Sequence, residues 1–449
     1  MDSSHYPAHA LHFTDASEHQ GFILPDHICY ECFEDSFLRE RVQREGNIDE
    51  CRVCAERREG ISVEQLAEWL EPVMRDNLGW GREVPDFGGG DSDRISYRLL
   101  GDSLEYWVQT FLGQYFDFQS EIIDAIIDSE FIYPGDGEEA FWDETMDYEE
   151  VKHSGGDFGL AWQETLQEVR HRRRFFSEKA RKFFAELFAD VEHMHLPSKP
   201  RSPVVRTLRT GRRLYRARVI TSASLLTEMV ADPLAHIGPP PQHLARAGRM
   251  NAEGISVFYG SLESATCLAE MRPAIGNDIA LIELRTNMPL RVLDFSRLER
   301  ARSSKPLSYF QPDFQQQRKR RNFLKILHTL IAQPVTPGHE SDYLITQTMA
   351  EFLSHVASPS FDGILFKSTQ HQNGTNIVLF PNAMLDDAGE PLALPVSLTD
   401  GNVNLFRTES ISYSHAKLDF YRREDSDEVI VFRDDEPHPD DSHWDDWPD

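Results

Sequence analysis

The chain has 449 residues, a length that predicts about three domains rather than one. Hydrophobic residues make up 40% of the chain and charged residues 27%, which excludes a globally disordered protein. The net charge of −29 repels phosphate backbones and anionic lipid surfaces, so it disfavours nucleic-acid and membrane partners. No apolar run reaches the ~18 residues of a membrane span, and the first residues lack the pattern of a signal peptide. We therefore expect a soluble, cytoplasmic protein.

The first 60 residues contain four of the five cysteines. Cys29, Cys32, Cys51 and Cys54 form two C-x2-C pairs separated by eighteen residues, the spacing typical of a two-knuckle zinc site. Each pair directs two thiolates at one point, and two pairs complete a tetrahedron around a Zn2+ ion. The alternative, four ordinary reduced cysteines, is disfavoured by their clustering. Because four cysteine ligands leave no position for a catalytic water, we predict a structural zinc module over residues 21–60.

The segments on either side of this module differ in pattern. Residues 1–20 carry no regular pattern and are expected to form a flexible arm. From residue 61 apolar residues recur at helical spacing behind the capping-box sequence Ser62–Gln65, which predicts an all-α domain over residues 61–196. Its basic run, Arg170–Arg174, is typical of a solvated helix face, with RNA or phosphate binding as the alternative.

The remainder of the chain changes from helical to mixed patterns. Residues 197–204 are rich in proline and predict a linker, after which short β-rich runs alternate with helices in an α+β domain over residues 205–423. A basic insertion over residues 299–322 could gate a cleft or contact a partner, and the acidic residues 424–449 predict a disordered tail. The main predicted strands and helices are Arg213–Arg218, Val257–Tyr259, Ile279–Leu284, Leu290–Leu293, Gly363–Phe366 and Asn376–Phe380, with Ser264–Glu270, Phe314–Ala332 and Asp342–Val356.

Three motifs of this domain carry groups that suit an anionic substrate with a positive reacting centre. Arg216 lies in a strand, Arg249 lies in a glycine-flanked segment and Glu270 ends a short helix. Two guanidiniums can chelate a pyrophosphate, and a carboxylate can stabilise an oxocarbenium-like transition state while a glycosidic bond breaks. Each motif alone is weak evidence, because arginines in strands usually form surface ion pairs and a helical glutamate is usually solvated.

The order of the motifs resembles the RES domain, a family named for its Arg, Glu and Ser. The resemblance covers residues 205–385 and rests on Tyr215-Arg216, Gly248-Arg249-Met250-Asn251, Phe258-Tyr259-Gly260, Thr266 to Glu270, Val292-Leu293-Asp294, Gln347, Asp362-Gly363-Ile364, Ser368 and Asn376 to Phe380. The first half, with its cysteine pairs and helical pattern, is similar to the HEPN-like domain fused to some RES proteins. The HEPN ribonuclease signature needs four to six residues between Arg and His. Because Arg170 and His171 are adjacent, we expect that domain to be non-catalytic.

The resemblance implies an ADP-ribosyltransferase-like fold with a cleft for NAD, in a toxin or defence effector that an antitoxin or regulatory protein could neutralise. The implied catalytic residues are Glu270, Arg216 and Ser368. The implied NAD-binding residues are Arg216, Arg249, Tyr259, Tyr215 and Asn251. The two arginines would hold the phosphates and ribose, Tyr259 would pack on the nicotinamide ring, and Ser368 would hydrogen-bond the substrate near the reacting ribose.

The reaction implied by this resemblance is cleavage of the nicotinamide–ribose bond of NAD. Water would make the enzyme a glycohydrolase and inorganic phosphate would make it a phosphorylase, and the motifs do not decide between them. Two alternatives stay open: a protein mono-ADP-ribosyltransferase that uses the same cleft, and a non-enzymatic nucleic-acid-binding protein built on the zinc module and the Arg170–Arg174 run.

Overall fold

The structure is a computed structural model that describes residues 26–86, 96–130, 140–151, 156–173, 176–198, 200–332, 343–384, 395–411, 417–422 and 429–433. They divide into two compact units, the first made of the chain up to residue 152 with residues 308–312, the second of the rest. The mixture of helices and strands confirms the predicted α+β class. None of the described helices is long and apolar enough to cross a membrane. The predicted arm over residues 1–20 lies outside the described residues.

The first unit combines helices with short strands. Its helices are α1 Ser36–Glu45, α2 Val63–Arg75, α3 Leu104–Leu112 and α4 Gln119–Asp128. Its strands are β1 His27–Cys29, β2 Asn47–Glu50, β3 Arg57–Ser62, β4 Leu78–Trp80, β5 Glu83–Asp86, β6 Ser96–Leu99 and β7 Tyr148–Glu150. Strands β1, β3 and β2 form one sheet in that order, while β4 pairs with β7 and β5 pairs with β6.

Helix α2 shows how the sequence builds the core of this unit. The Ser62 side chain accepts a hydrogen bond from the Gln65 backbone N–H, as the capping box predicts. The apolar face of the helix buries Leu66 and Leu70 in a core shared with α3 and α4. The prediction of an all-α segment over residues 61–196 is wrong, because β4 to β7 lie within it. These strands have three or four residues each, too few for a period-2 pattern, and β4 pairs with β7, which is distant in the chain.

The second unit is built on an eight-stranded sheet. The whole unit contains the strands β8 Met194–Leu196, β9 Ser202–Pro203, β10 Val205–Leu208, β11 Arg213–Ile220, β12 Phe258–Ser261, β13 Asp278–Thr286, β14 Leu290–Asp294, β15 Arg302–Ser303, β16 Gly363–Lys367, β17 Thr375–Leu379, β18 Val396–Arg407, β19 Leu418–Arg422 and β20 Val429–Arg433. Its helices are α5 Gly156–His171, α6 Glu178–Leu187, α7 Ala223–Ala231, α8 Pro233–Ile237, α9 Ser264–Glu270, α10 Phe295–Leu298, α11 Phe314–Ala332 and α12 Leu344–Glu351, which continues into a π-helix over Phe352–Val356. The order in the large sheet is β10-β14-β16-β17-β12-β11-β13-β18. Neighbouring strands are antiparallel except for β14 and β16, which are the one parallel pair among the strands that the structure describes.

Alternate residues of the central strands face two different cores, as strand geometry requires. Ile364 and Val378 contribute to a core that includes residues of α5, α6, α11 and α12. Leu365 and Ile377, one position along each strand, contribute to a core that includes residues of α7 and α8. The sheet is therefore covered by helices on both faces, and the six strands predicted in this domain are all present with ends shifted by a few residues.

Helices α5 and α6 belong to the second unit, whereas the sequence analysis assigned them to the domain over residues 61–196. The ring of Trp162 on α5 packs against Phe323 on α11, and Phe184 on α6 packs against Phe352. Helical periodicity shows that a helix has an apolar face, but it does not show which surface will cover that face. The partner here lies more than a hundred residues further along the chain.

The two basic stretches occupy different environments. Arg172 and Arg173 are exposed at the C-terminal end of α5, where the partial negative charge of the helix favours cations, and Arg174 lies outside the described residues. Within the insertion over residues 299–322, the Arg320 side chain is buried and donates a hydrogen bond to the Asp190 carboxylate at 2.5 Å. This part of the insertion is therefore folded into the second unit.

Two segments that the sequence predicts to be irregular contain strands. The predicted linker over residues 197–204 includes β9, which pairs with β8, and Val204 behind it is fully buried. Pro203 is compatible with this arrangement because proline is accepted at strand ends. The predicted tail over residues 424–449 includes β20, which pairs with β19, while residues 434–449 lie outside the described part. Both predictions rested on the composition of the segment itself. Whether a segment forms a strand also depends on the strand that pairs with it, which its own composition does not show.

Candidate functional site

A cavity of about 330 Å3 lies on the large sheet of the second unit. Strands β11 and β12 pair at a single position, Tyr215 with Ser261, and the cavity is lined by residues from both strands and from α9, β16 and β17. Arg216, Arg249 and Tyr259 line it together with Glu270. Four groups from three segments of the chain are thus brought to one place.

Glu270 is the last residue of α9 and is half-buried. Its Oε1 accepts two hydrogen bonds, from the Ser368 hydroxyl at 2.6 Å and from the Asn376 amide at 2.6 Å. Its Oε2 has no hydrogen-bond partner among the described residues. One oxygen is therefore anchored and the other is available to a ligand.

Ser368 immediately follows β16, and its orientation is set by the turn that leads to β17. Its oxygen accepts hydrogen bonds from the backbone N–H groups of Gln370 and His371, both at 3.1 Å. Since those contacts occupy the lone pairs of the oxygen, the hydroxyl proton is directed to Glu270. Ser368 thus contacts the carboxylate of the cavity rather than forming the cavity wall.

Two arginines bring positive charge into the cavity without a carboxylate partner among the described residues. The Arg216 guanidinium donates hydrogen bonds to the carbonyl oxygens of Ile237, at 2.6 Å, and Tyr259. The Arg249 guanidinium donates to the carbonyl oxygen of Ile331. Burial lowers the pKa of Arg216 to about 10 and lowers the pKa of Arg249, so both stay charged at neutral pH. Two half-buried cations that face one carboxylate favour an anionic ligand.

The Tyr259 ring is held in place through its hydroxyl. The hydroxyl donates to Asn251 Oδ1 at 2.8 Å and accepts from the Met250 backbone N–H at 2.9 Å, and burial raises its pKa to about 12. Asn251 is itself buried, and its amide donates to the carbonyls of Arg246, Ala252 and Ile255. A Cβ at Gly248 would lie 2.7 Å from Asn251 Oδ1 and 2.9 Å from the Tyr259 hydroxyl oxygen, so this loop requires glycine.

Two of the residues predicted to bind NAD do not line the cavity. The amide of Asn251 is occupied by the loop that it holds, and its role in the structure is to orient Tyr259. The side chain of Tyr215 packs beside Cys267, and its hydroxyl donates to Glu283 Oε2 at 3.5 Å. Strand alternation alone does not explain the second case, because Ala217 lies on the same face of β11 as Tyr215 and lines the cavity. The Tyr215 hydroxyl is instead directed to Glu283, the residue opposite it on β13.

Most other residues of the cavity were not selected from the sequence as site residues, and three of them carry polar or charged groups that matter here. Asn376 contacts Glu270 directly and is the polar first position of an otherwise apolar run, a signal that could have drawn attention to it. Lys367 lines the cavity, and its ammonium pairs with Glu299. Arg272 lines the cavity with an exposed side chain and a backbone φ of 44°, and nothing in the sequence indicates that conformation.

The cysteine pairs of the first unit form a second candidate site. The four Sγ atoms of Cys29, Cys32, Cys51 and Cys54 lie within 4.8 Å of one another, and three of the separations are 3.6, 3.6 and 3.8 Å. These distances exceed the ~2.05 Å of a disulfide. They match the ~3.8 Å edge of a tetrahedron with metal–sulfur bonds of about 2.3 Å. This cluster could hold a metal ion, as the spacing predicts.

Comparison with known proteins identifies one part of the chain. No curated protein and no solved structure matches the chain. Residues 213–397, however, match the family model of the RES domain, and this range begins before Arg216 and ends after Asn376. It therefore contains every residue that lines the cavity described above. The chain carries a RES domain over residues 213–397.

Proposed function

We propose that this chain cleaves the nicotinamide–ribose bond of NAD. The observation that carries the proposal is the composition of the cavity. Among the residues that the structure describes, Arg216 and Arg249 have no carboxylate partner and Oε2 of Glu270 has no hydrogen-bond partner. NAD has the complementary charges, with an anionic pyrophosphate and a cationic nicotinamide ring. The match to the RES domain, a family related to NAD, supports the same substrate.

The chemical step needs no oxidant or reductant. The bond between C1′ of the ribose and the ring nitrogen breaks, its electron pair passes to the nitrogen, and neutral nicotinamide leaves. The ribose becomes an oxocarbenium ion, which the carboxylate of Glu270 stabilises. An oxygen of water or phosphate then forms the new bond to C1′, and an attacking water gives its proton to Glu270 or to solvent. The leaving group carries a positive charge before cleavage, so no acid is required.

The remaining residues position the substrate in this proposal. Arg216 and Arg249 bind the pyrophosphate through guanidinium N–H groups that the carbonyls do not use. Tyr259 presents its ring to the nicotinamide, since its hydroxyl is held by the loop behind it. Ser368 keeps Oε1 of Glu270 in place, which leaves Oε2 for the reacting centre.

The test is incubation of the purified protein with NAD, with and without inorganic phosphate, followed by mass analysis of the products. Nicotinamide with ADP-ribose indicates water as the acceptor, and nicotinamide with ADP-ribose phosphate indicates phosphate. Labelled NAD and cell extract test the alternative of protein mono-ADP-ribosylation, in which the label is transferred to protein. NAD that survives intact in all three reactions would contradict the proposal.

We further propose that the cysteine cluster holds a structural Zn2+ ion. The support is its donor set of four sulfurs at separations suited to a tetrahedral metal. Bound zinc would stabilise a sheet of short strands that contributes few residues to the apolar core. In this proposal the first unit is a non-catalytic HEPN-like half that regulates an ADP-ribosyltransferase-like enzyme, and loss of NAD makes the protein a toxin or defence effector.

A further inference from the structure

Asn376 and Ser261 form a hydrogen-bonded pair behind Glu270. They face each other across β17 and β12, and both are buried, at 7% and 2% exposure. The Ser261 hydroxyl donates to Asn376 Oδ1 at 2.8 Å, and Asn376 Nδ2 donates to Glu270 Oε1 at 2.6 Å. Ser261 on β12 is thus linked to the carboxylate of Glu270 through the side chain of Asn376 on β17.

The direction of these hydrogen bonds follows from chemistry. An ionised carboxylate only accepts hydrogen bonds, so the Asn376 amide must present its NH2 group to Glu270. Its carbonyl then faces Ser261, which must donate. Ser261 therefore selects the amide orientation in which Asn376 stabilises a negative charge. The opposite orientation would place two acceptors against each other.

We propose that Asn376, oriented by Ser261, is a positioning residue that keeps Glu270 ionised and directs its free oxygen into the cavity. The proposal rests on the function proposed above, since it assigns a role relative to Glu270. Withdrawal of a carboxylate from water favours its protonated form, and hydrogen bonds donated to it oppose that effect. Asn376 supplies one such bond and Ser368 supplies the other, so two donors together immobilise Oε1.

Other groups around Glu270 could also shape a pH profile. Those that line the cavity or the adjoining turn are Arg216, Arg249, Arg272, Lys367, Tyr259, Cys267 and His371. Burial raises the pKa of both Tyr259 and Cys267 to about 12, so these two stay protonated in the working range. Burial lowers the pKa of Arg216 to about 10, so this arginine stays charged over most of that range. His371 lies on the adjoining turn, and its Nδ1 lies 2.9 Å from the Thr266 hydroxyl oxygen.

The test compares the pH dependence of kcat/KM for NAD in the wild type and in Asn376→Leu, which keeps the side-chain size and removes the donor. We expect the acidic limb to move up by about one pH unit or more, so that kcat/KM at pH 6 falls about tenfold to a hundredfold. At pH 9 the activity should return to within a few-fold of wild type. A purely structural role would lower kcat/KM equally at every pH and leave the limb in place, which would overturn the proposal.

The single variant Ser261→Ala keeps the test decisive if Asn376→Leu folds poorly. Ser261→Ala should move the limb in the same direction by a smaller amount, because Asn376 loses its orienting donor. The double variant should match Asn376→Leu alone, since both act through one chain of hydrogen bonds. Ser397→Ala is the matched control, because Ser397 donates to Asn287 Oδ1 at 2.8 Å in an exposed pair away from the cavity. A change in the acidic limb of His371→Gln measures the contribution of this histidine to the pH dependence of kcat/KM.

A second readout separates this proposal from the proposed reaction. The carboxyl signal of Glu270 can be assigned in a 13C-glutamate spectrum by its absence from Glu270→Gln. We expect it to titrate at higher pH in Asn376→Leu than in the wild type, whether or not the protein cleaves NAD. An unchanged titration would overturn the positioning role, whereas a changed titration without turnover would refute only the reaction.

Discussion

The Ser368 hydroxyl contacts Oε1 of Glu270 at 2.6 Å although the two residues are 98 positions apart in the chain. Asn376 donates to the same oxygen, so this atom accepts both of the hydrogen bonds that described residues make to the carboxylate. Because Oε1 is saturated, the reactive role falls to Oε2. This asymmetry makes separate predictions for the carboxylate and for its donor.

Replacement of the carboxylate by an amide tests the reaction most directly. In Glu270→Gln the size is kept and the negative charge is lost, so we expect kcat for nicotinamide release to fall about a hundredfold to a thousandfold. Nicotinamide release measured by chromatography gives the rate, and circular dichroism checks the fold. Glu228→Gln, a change at a more exposed glutamate on α7, is the control and should leave kcat unchanged. Full turnover by Glu270→Gln would remove this residue from the mechanism.

Loss of the serine donor should have a smaller effect than loss of the carboxylate. In Ser368→Ala the Oε1 atom keeps its bond from Asn376, so we expect kcat to fall about tenfold while KM for NAD changes little. Steady-state kinetics separate the two constants. A large rise in KM with unchanged kcat would instead indicate that Ser368 binds the substrate directly.

Arg249 should act through the phosphates of the substrate. In Arg249→Gln we expect KM for NAD to rise about tenfold or more, because a charge-assisted contact is lost. The KM for nicotinamide riboside, which has no phosphate, should stay the same. Arg213→Gln is the control, since this exposed arginine pairs with Glu283 on the same sheet. Equal effects on both substrates would show that Arg249 does not contact the phosphates.

Arg272 should show opposite effects on stability and on binding. Its φ of 44° is unfavourable for a residue with a Cβ, and Pro273 restricts this backbone further. We expect Arg272→Gly to gain about 1 kcal/mol of unfolding free energy and to raise Tm by about 2–4 °C. The same variant removes a cation from the cavity, so KM for NAD should rise. Arg272→Lys keeps the charge and the Cβ, so it should change neither Tm nor KM by much. A fall in Tm for Arg272→Gly would refute the strain argument.

Removal of zinc should affect the first unit. We expect one zinc ion per chain by elemental analysis, and its loss in Cys29→Ser, together with faster proteolysis within residues 26–86. A chelator should have the same effect on the wild type. Cys267→Ser, in the second unit, should keep the metal and serves as the control. A wild-type protein that contains no metal and is unaffected by chelation would contradict the zinc site.

The cysteine cluster and the strands of the second unit could be predicted from the sequence because their signals are local. The spacing of Cys29, Cys32, Cys51 and Cys54 already constrains four thiols to one point, and the structure brings them within 4.8 Å. The helix Ser264–Glu270 has the predicted bounds. In contrast, the assignment of α5 and α6 depended on which apolar surface covers them, and that surface is distant in sequence.

For the candidate site, the sequence by itself determined which chemical groups are present and in what order, because residue types and local periodicity need no partner. Only the tertiary structure decided which of them meet. Strand register brings Asn376 opposite Ser261, and it brings Glu283 opposite Tyr215, whose hydroxyl contacts that glutamate. The hydrogen bond between Tyr259 and Asn251 likewise forms only in the folded chain. Hydrogen bonds between residues about a hundred positions apart depend on register and packing, and neither is encoded in any short segment.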